Sequence, residues 1–254
     1  YDIRLSLVGS EMCIRDSTDT TVMNCTFIGN TSGHGGGMLH RYSVLTVTNC
    51  LFSNNSAEYN GGGLYNYSVN SKIINSTFSG NLATSGGGTF SYDCNPTITN
   101  CIFWNNTPEE IYGGSPVVSY CDIQDWVGGT GNINADPNFV DADNPELDLK
   151  DFRLNPGSPC IDAGNNTAIT AGIFTDLDGN PRVVDDPDTP DTGITFSDLT
   201  VDMGAYEFEF DPCPVEGDIN CDGIVDLNDL SILCANWLQG TSTCLLYTSD
   251  AADE

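Results

Sequence analysis

The sequence predicts an all-β solenoid built of coils of about 25 residues. Three observations predict it. The heptapeptides NCTFIGN (24–30), NCLFSNN (49–55), NSTFSGN (75–81) and NCIFWNN (100–106) align, so Asn24, Asn49, Asn75 and Asn100 are spaced by 25, 26 and 25 residues. Triple glycines recur at 35–37, 61–63 and 86–88 with nearly the same step. Short runs such as Leu45, Val47, Cys50 and Phe52 keep the twofold alternation of strands, and no segment sustains a 3.6-residue apolar period. A fixed period in this range belongs to solenoids and propellers.

The coils occupy 18–125. If successive coils lie about 4.8 Å apart, equivalent residues meet one another. Phe27, Phe52, Phe78 and Phe103 then form an interior column, with Val, Ile and Cys beside it. Each buried Phe contributes roughly 1.5–3 kcal/mol, and a lone coil cannot bury its face. Asn tolerates left-handed φ and can hydrogen-bond its counterpart in the next coil, which predicts two ladders, Asn24/49/75/100 and Asn30/55/81/106. The glycine clusters suit tight corners; no Gly-Lys-Ser/Thr follows them, so they are not a phosphate loop. Cys25, Cys50, Cys101 and Cys121 share one position, interrupted by Ser76. They read as small buried core residues, with a Cys25–Cys50 disulfide sterically allowed. VVSYCDI (117–123) fits one further coil, and His34 and His40 read as exposed loop residues. These repeats resemble the right-handed parallel β-helix of pectin-lyase-like proteins.

A second region, 126–210, shifts in composition. Residues 18–108 hold three acidic residues, Asp19, Glu58 and Asp93, whereas 109–229 hold 27. Pro137, Pro156, Pro159 and Pro181 forbid long helices. The strings ADPNFVD (135–141), FRLNPGSPCIDAG (152–164), TDLDGNPR (175–182) and VDMGAYEF (201–208) resemble the choice-of-anchor Q module that follows such solenoids in secreted bacterial proteins. The expectation is short strands and turns that finish the last coils and cap the stack. Asp176, Asp178 and Asn180 alternate as calcium ligands do, but the sixth position lacks Gly and Pro187 stands twelfth, so a turn is the preferred reading. The acidic loop Asp185, Asp186, Asp188 and Asp191 reads as solvated.

Residues 211–240 carry the motif with the most specific chemistry. In GDINCDGIVDLNDLSILCANWL (217–238), Asp218 takes position one of a calcium loop, Asn220 three, Asp222 five and Gly223 six. Ile224 takes seven through its carbonyl, Asp226 nine and Asp229 twelve. Calcium wants six to eight oxygens, and carboxylates packed into so short a loop repel one another without a cation. Leu227, Leu230, Leu233 or Cys234, and Trp237 follow at helical spacing. The motif resembles one half of a type I dockerin, which implies a Ca2+ cofactor and a cohesin-type partner; dockerins usually carry two such repeats, and one is present here. Cys213, Cys221 and Cys234 surround the loop and can supply one disulfide outside the cell, with the pairing open.

The two ends read differently. Residues 7–17, LVGSEMCIRDS, and 244–254, CLLYTSDAADE, resemble translated sequencing adapters. Segments 1–17 and 244–254 are therefore set apart from fold reasoning.

Charge narrows the function. Thirty-six acidic against 7 basic residues give a net charge of −29, which disfavours nucleic acid and anionic membranes as partners. No run of apolar residues is long enough to span a bilayer. Two histidines and no CxxC disfavour a multi-His or structural zinc site. Outside the core, Tyr59, Tyr65, Tyr67, Tyr92 and Trp104 can stack on sugar rings, or can simply pack the wall. Together these features point to an extracellular or cell-surface solenoid that binds polysaccharide or cell-wall glycan, or serves as an adhesin-like scaffold, tethered through the calcium loop. The alternative is a fragment of a polysaccharide lyase or glycoside hydrolase whose active site is expected mostly in coils upstream of this fragment. Its candidate groups in the coils are Asp19, Glu58, Asp93, Arg41 and Lys72, none of which recurs in a motif.

Overall fold

The computed structural model describes residues 6–8, 12–14, 19–68, 70–195, 199–210 and 225. The chain divides into two compact units, 1–209 and 210–254. The calcium-loop residues Asp218, Asn220, Asp222, Ile224, Asp226 and Asp229 all lie outside the described residues.

The first unit is a stack of parallel coils. It opens with β1 (Ser6–Val8), β2 (Met12–Ile14) and β3 (Thr20–Met23). The next coil carries β4 (Thr26–Ile28), β5 (Thr31–His34), β6 (Met38–Arg41) and β7 (Leu45–Thr48). Above it come β8 (Leu51–Ser53), β9 (Ser56–Asn60), β10 (Leu64–Tyr67) and β11 (Lys72–Ile74). Then follow β12 (Thr77–Ser79), β13 (Thr89–Tyr92) and β14 (Thr97–Thr99), and after them β15 (Ile102–Trp104), β16 (Ile111–Tyr112), β17 (Val117–Ser119) and β18 (Asp122–Ile123). Three parallel sheets result: β1-β4-β8-β12-β15-β18, β2-β6-β10-β13-β16 and β3-β7-β11-β14-β17. A short ribbon, β5-β9, makes a fourth side. Strands β1 and β2 fall within the adapter-like segment and pair in parallel with β4 and β6. An open parallel edge offers backbone groups that any extended chain can meet.

Register follows the sequence repeat. Phe27 pairs with Phe52, Phe52 with Phe78 and Phe78 with Phe103. Their ring centroids are 4.5, 4.5 and 4.6 Å apart and tilted by 7°, 2° and 4°. Isolated aromatic pairs prefer offset or edge-on contacts. Here the backbone pitch imposes face-to-face stacking. Val22, Val47, Ile73, Ile98 and Val118 fill the same core from the third sheet.

The glycines make room for that column. A Cβ on Gly63 would stand 2.9 Å from the Phe78 ring and 2.6 Å from the Gly88 carbonyl oxygen. Close approach, more than turn geometry, fixes Gly at this site. The corner before each first-sheet strand works differently. Asn24, Asn49, Asn75, Asn100 and Tyr120 have φ between 46° and 56°. The next side chain donates to the carbonyl two residues back: Cys25 to Met23 at 3.0 Å, Cys50 to Thr48 at 3.2 Å and Ser76 to Ile74 at 2.9 Å. Ser76 therefore does the same work as the cysteines and does not interrupt the column. Cys50, Cys101, Cys121 and Cys160 are buried free thiols, and Cys25 and Cys94 are buried as well.

Both histidines differ from expectation. His40 lies on β6 and is buried, its Nε2 3.0 Å from Ser43 Oγ. His34 lies on β5 and packs between two tyrosines. Twofold alternation turned His40 inward, where a polar residue was not expected.

Beyond β18 the chain adds bridges to the last coil, Ser119 to Thr130 and Asp122 to Ile133, and Trp126 packs on the core. It then passes along the outer face of the first sheet. Strands β19 (Phe139–Asp141) and β20 (Asp151–Leu154) form an antiparallel pair, and no α-helix occurs among the described residues of this segment. Leu154, Cys160, Ile161, Ala163 and Met203 bury Ile102 from outside, with Trp104 packed beside them.

Only one of the two expected asparagine ladders runs unbroken from coil to coil. Asn30 Nδ2 donates to Asn55 Oδ1 at 2.9 Å, Asn55 to Asn81 at 2.9 Å and Asn81 to Asn106 at 2.7 Å. Each Oδ1 also accepts the backbone N–H of the previous rung. In the other column Asn49 donates to Asn24 at 3.3 Å and also to the Thr175 carbonyl at 2.6 Å. Asn100 exchanges bonds with Asn165, donating at 3.1 Å and accepting at 2.8 Å. With its amide oriented to satisfy both sides, Asn75 accepts from Arg182 at 3.2 and 2.5 Å. These corner asparagines therefore hold the returning acidic segment.

Candidate functional site

The outward residues of the second sheet align in two rows. Leu39, Tyr65 and Phe90 share one register, and Phe90 continues to Tyr112. Tyr65 and Phe90 are 5.3 Å apart at 7°, and Phe90 and Tyr112 5.5 Å apart at 26°. In the second row Arg41, Tyr67 and Tyr92 align. Tyr67 and Tyr92 stack at 5.3 Å and 2°, and the Arg41 guanidinium sits 5.6 Å over the Tyr67 ring. Tyr42 meets Tyr67 edge-on at 5.5 Å, and His34 lies 5.2 Å from both Tyr59 and Tyr65.

The inward partners of these residues, Met38, Leu64 and Thr89, are buried, so alternation alone turns the aromatic rows outward. Tyr42, Tyr59, Tyr92 and Tyr112 are each about half exposed, at 57%, 50%, 52% and 46%. Burial raises the Tyr65 phenol, which stays a neutral donor at physiological pH. An extended platform of flat apolar faces edged with hydroxyls suits stacking on a polymer of flat polar rings. Four of the five aromatics expected at such a face are here, whereas Trp104 belongs to the cluster under the acidic segment. Phe90, Tyr112, Tyr42 and His34 join them. The coil period would have found Phe90, 25 residues after Tyr65, but not Tyr112, which follows Phe90 by only 22.

The ionisable residues considered for catalysis do not converge. Glu58 lies on the β5-β9 ribbon, Lys72 on the third sheet and Arg41 on the second. Asp19 precedes β3, and Asp93 follows β13 as an exposed left-handed residue.

Two other polar centres are well built. A cleft of about 460 Å3 at the end of the coils is lined by Glu109, Glu110, Gln124, Asp125 and Trp126, among others. Both oxygens of Glu110 are engaged by Asn106, through its backbone N–H at 3.1 Å and through its amide. Burial pushes this carboxyl up to about 7. It ends the asparagine ladder in place of a further amide.

The second centre gathers acidic residues of the returning segment. Arg182 is 1% exposed, pairs with Glu207 at 3.5 Å and donates to the Ala205 and Gly204 carbonyls at 3.1 and 2.5 Å. Asp176 forms the expected turn, accepting from Gly179 and Asn180 at 2.8 Å each, and its other oxygen accepts from Glu207 at 3.0 Å. Asp162 and Asp202 adjoin it, and burial pushes each carboxyl up to about 7. Asp162, absent from the sequence reading, meets the loop that carries Asp185 and Asp191.

Among comparisons with known proteins, a family model described as "Right handed beta helix region" matches residues 6–138. No curated protein and no solved structure matches the chain.

Proposed function

The chain belongs to the right-handed β-helix family, and from that premise we propose that it is part of a secreted or cell-surface protein that binds polysaccharide. The glycan lies across the aromatic rows of the second sheet. The single observation that carries this reading is the pair of aligned stacks, Tyr65-Phe90-Tyr112 and Tyr67-Tyr92, on an outer face. Burial already explains Tyr65, which is 6% exposed, but the half-exposed rings of Tyr92 and Tyr112, stacked on Tyr67 and Phe90, need another reason. A net charge of −29 repels polyanions, so neutral glycans fit better than uronate polymers. The dockerin-like loop, with Asp218, Asn220, Asp222, Ile224, Asp226 and Asp229 as its Ca2+ ligands, tethers the protein, and a cohesin-type domain is its candidate partner.

Retention on insoluble and soluble neutral glycans, read by pull-down and affinity electrophoresis, tests the binding face. Wild type is expected to be retained, and Tyr112→Ala with Tyr92→Ala, both about half exposed, to weaken retention about tenfold or more, the equivalent of roughly 1.4 kcal/mol. Equal retention of wild type and variant would remove the face from the account. Product analysis of the same incubations addresses the lyase or hydrolase alternative. Bond cleavage lost on substitution of Glu58, Asp93 or Arg41 would favour it over simple binding.

A further inference from the structure

We propose that Asp162, Asp185 and Asp191 form a binding site for a hard divalent cation of the Ca2+ type, separate from the 217–238 loop. One carboxylate oxygen from each lies within 4.8 Å of the others. Two oxygens that share a calcium at 2.3–2.6 Å can stand no farther apart than about 5 Å, so one ion can reach all three. The donor set is oxygen only, which fits Ca2+ and excludes the thiolate and imidazole chemistry that zinc favours.

An acidic cluster alone would say little, but Asp162 is not a surface residue. It is 0% exposed. Its Oδ2 accepts from the Asp186 backbone N–H at 3.1 Å, and its Oδ1, also buried, has no hydrogen-bond partner. A buried carboxylate oxygen without a donor costs several kcal/mol unless the group is neutralised or meets a cation. The buried guanidinium of the same segment, Arg182, is occupied by Glu207 and by carbonyls. The neighbouring carboxyls are themselves engaged. Asp202 accepts from Asp162 N–H at 2.8 Å and from Phe208 N–H at 2.6 Å, and Asp186 from Asp188 N–H at 3.1 Å and the Thr189 hydroxyl at 2.7 Å. Asp191 spends one oxygen on the Thr200 hydroxyl at 2.5 Å.

The backbone fixes the three ligands relative to each other. The Asp162 carbonyl accepts from Thr192 and Gly193 N–H at 2.9 and 3.1 Å, which ties the 185–191 loop to the Asp162 corner. The cation replaces proton neutralisation of Asp162 and joins the loop to the corner by ion-mediated bonds. Remaining coordination falls to carbonyls and water, as is usual for Ca2+.

Calorimetric titration of Ca2+ into the full chain tests this. Asp222→Asn with Asp229→Asn first silences the 217–238 loop. That loop variant is expected to keep one Ca2+ site, with Kd no weaker than the roughly 1 mM of extracellular modules. Adding Asp185→Asn and Asp191→Asn, which are not core positions, is expected to abolish the remaining binding and the Ca2+-dependent rise in Tm. Asp162→Asn, which keeps an acceptor for the Asp186 N–H, is expected to do the same. No Ca2+ binding by the loop variant, or binding that survives Asp185→Asn with Asp191→Asn, overturns the proposal. Failure of the 217–238 reading shows instead as unchanged stoichiometry between wild type and the loop variant.

Discussion

Glu110 shows what one residue does at the end of a periodic structure. Each ladder asparagine donates to the next rung and accepts from the previous one, and the last rung needs an acceptor with nothing above it. A carboxylate supplies two acceptors and no donor. Its burial raises the folded pKa from 4.5 to about 7. The folded state therefore holds a proton that the unfolded state has lost. This contribution is full below about 4.5 and is lost as pH rises through about 7. Glu110→Gln is expected to flatten the fall in stability between pH 4.5 and 8 by on the order of 3 kcal/mol, read by urea unfolding at several pH values. His40 works in the opposite sense. Burial lowers its pKa from 6.5, so its contribution is present above 6.5 and lost as pH falls below it. Comparing variant with wild type cancels that background. In mid-ladder, Asn81→Ala removes the acceptor of the Asn55 N–H and the donor to the Phe52 carbonyl. At roughly 1–3 kcal/mol per orphaned buried group, a loss of several kcal/mol is expected in the same unfolding measurement.

At the scale of the element, the coil corner explains why some columns tolerate variety and others do not. Asn75 and Tyr120 adopt the same left-handed φ, and Cys and Ser serve equally as the donor that follows. Glycine at the facing corner has no such freedom. A Cβ on Gly62 would stand 2.5 Å from the Gly87 carbonyl oxygen and 2.6 Å from that of Leu82, both backbone atoms of the next coil. Gly62→Ala is expected to cost more than about 2 kcal/mol and to broaden the unfolding transition, because coils must part to admit one methyl. Replacing Asn75 by Gly, by contrast, keeps the left-handed φ of 46° but removes one acceptor of Arg182. Asn75→Gly is expected to make the segment 135–209 more susceptible to proteolysis at protease concentrations where the coils remain intact. The periodic elements were legible in the sequence because each residue's environment recurs every coil. The role of Glu110 was not, since it sits four residues beyond Asn106 within one coil and fills a rung out of phase.

For the whole molecule, the acidic segment changes how the solenoid meets solvent. Sequence composition set it apart near Pro108 and suggested a cover for the end of the stack. Residues 126–133 do meet the last coil, but the longer stretch covers the outer face of the first sheet through Arg182, Asn165 and Thr175. No repeat governs that stretch, so its long-range partners, Asp162 with the 185–191 loop and Asn100 with Asn165, carry no signature in sequence spacing. The first sheet is thus shielded while the second keeps Tyr92 and Tyr112 about half exposed. Both outcomes depend on coils stacked in strict register. Nuclear Overhauser contacts between aromatic protons, in protein labelled only at Phe, test that register most directly. Contacts are expected between Phe27 and Phe52, Phe52 and Phe78, and Phe78 and Phe103, whose ring centroids lie 4.5 to 4.6 Å apart, and none between Phe27 and Phe78. A spectrum in which these neighbours lack contacts, or in which alternate rings touch, would contradict the stacked-coil structure and every function built on it.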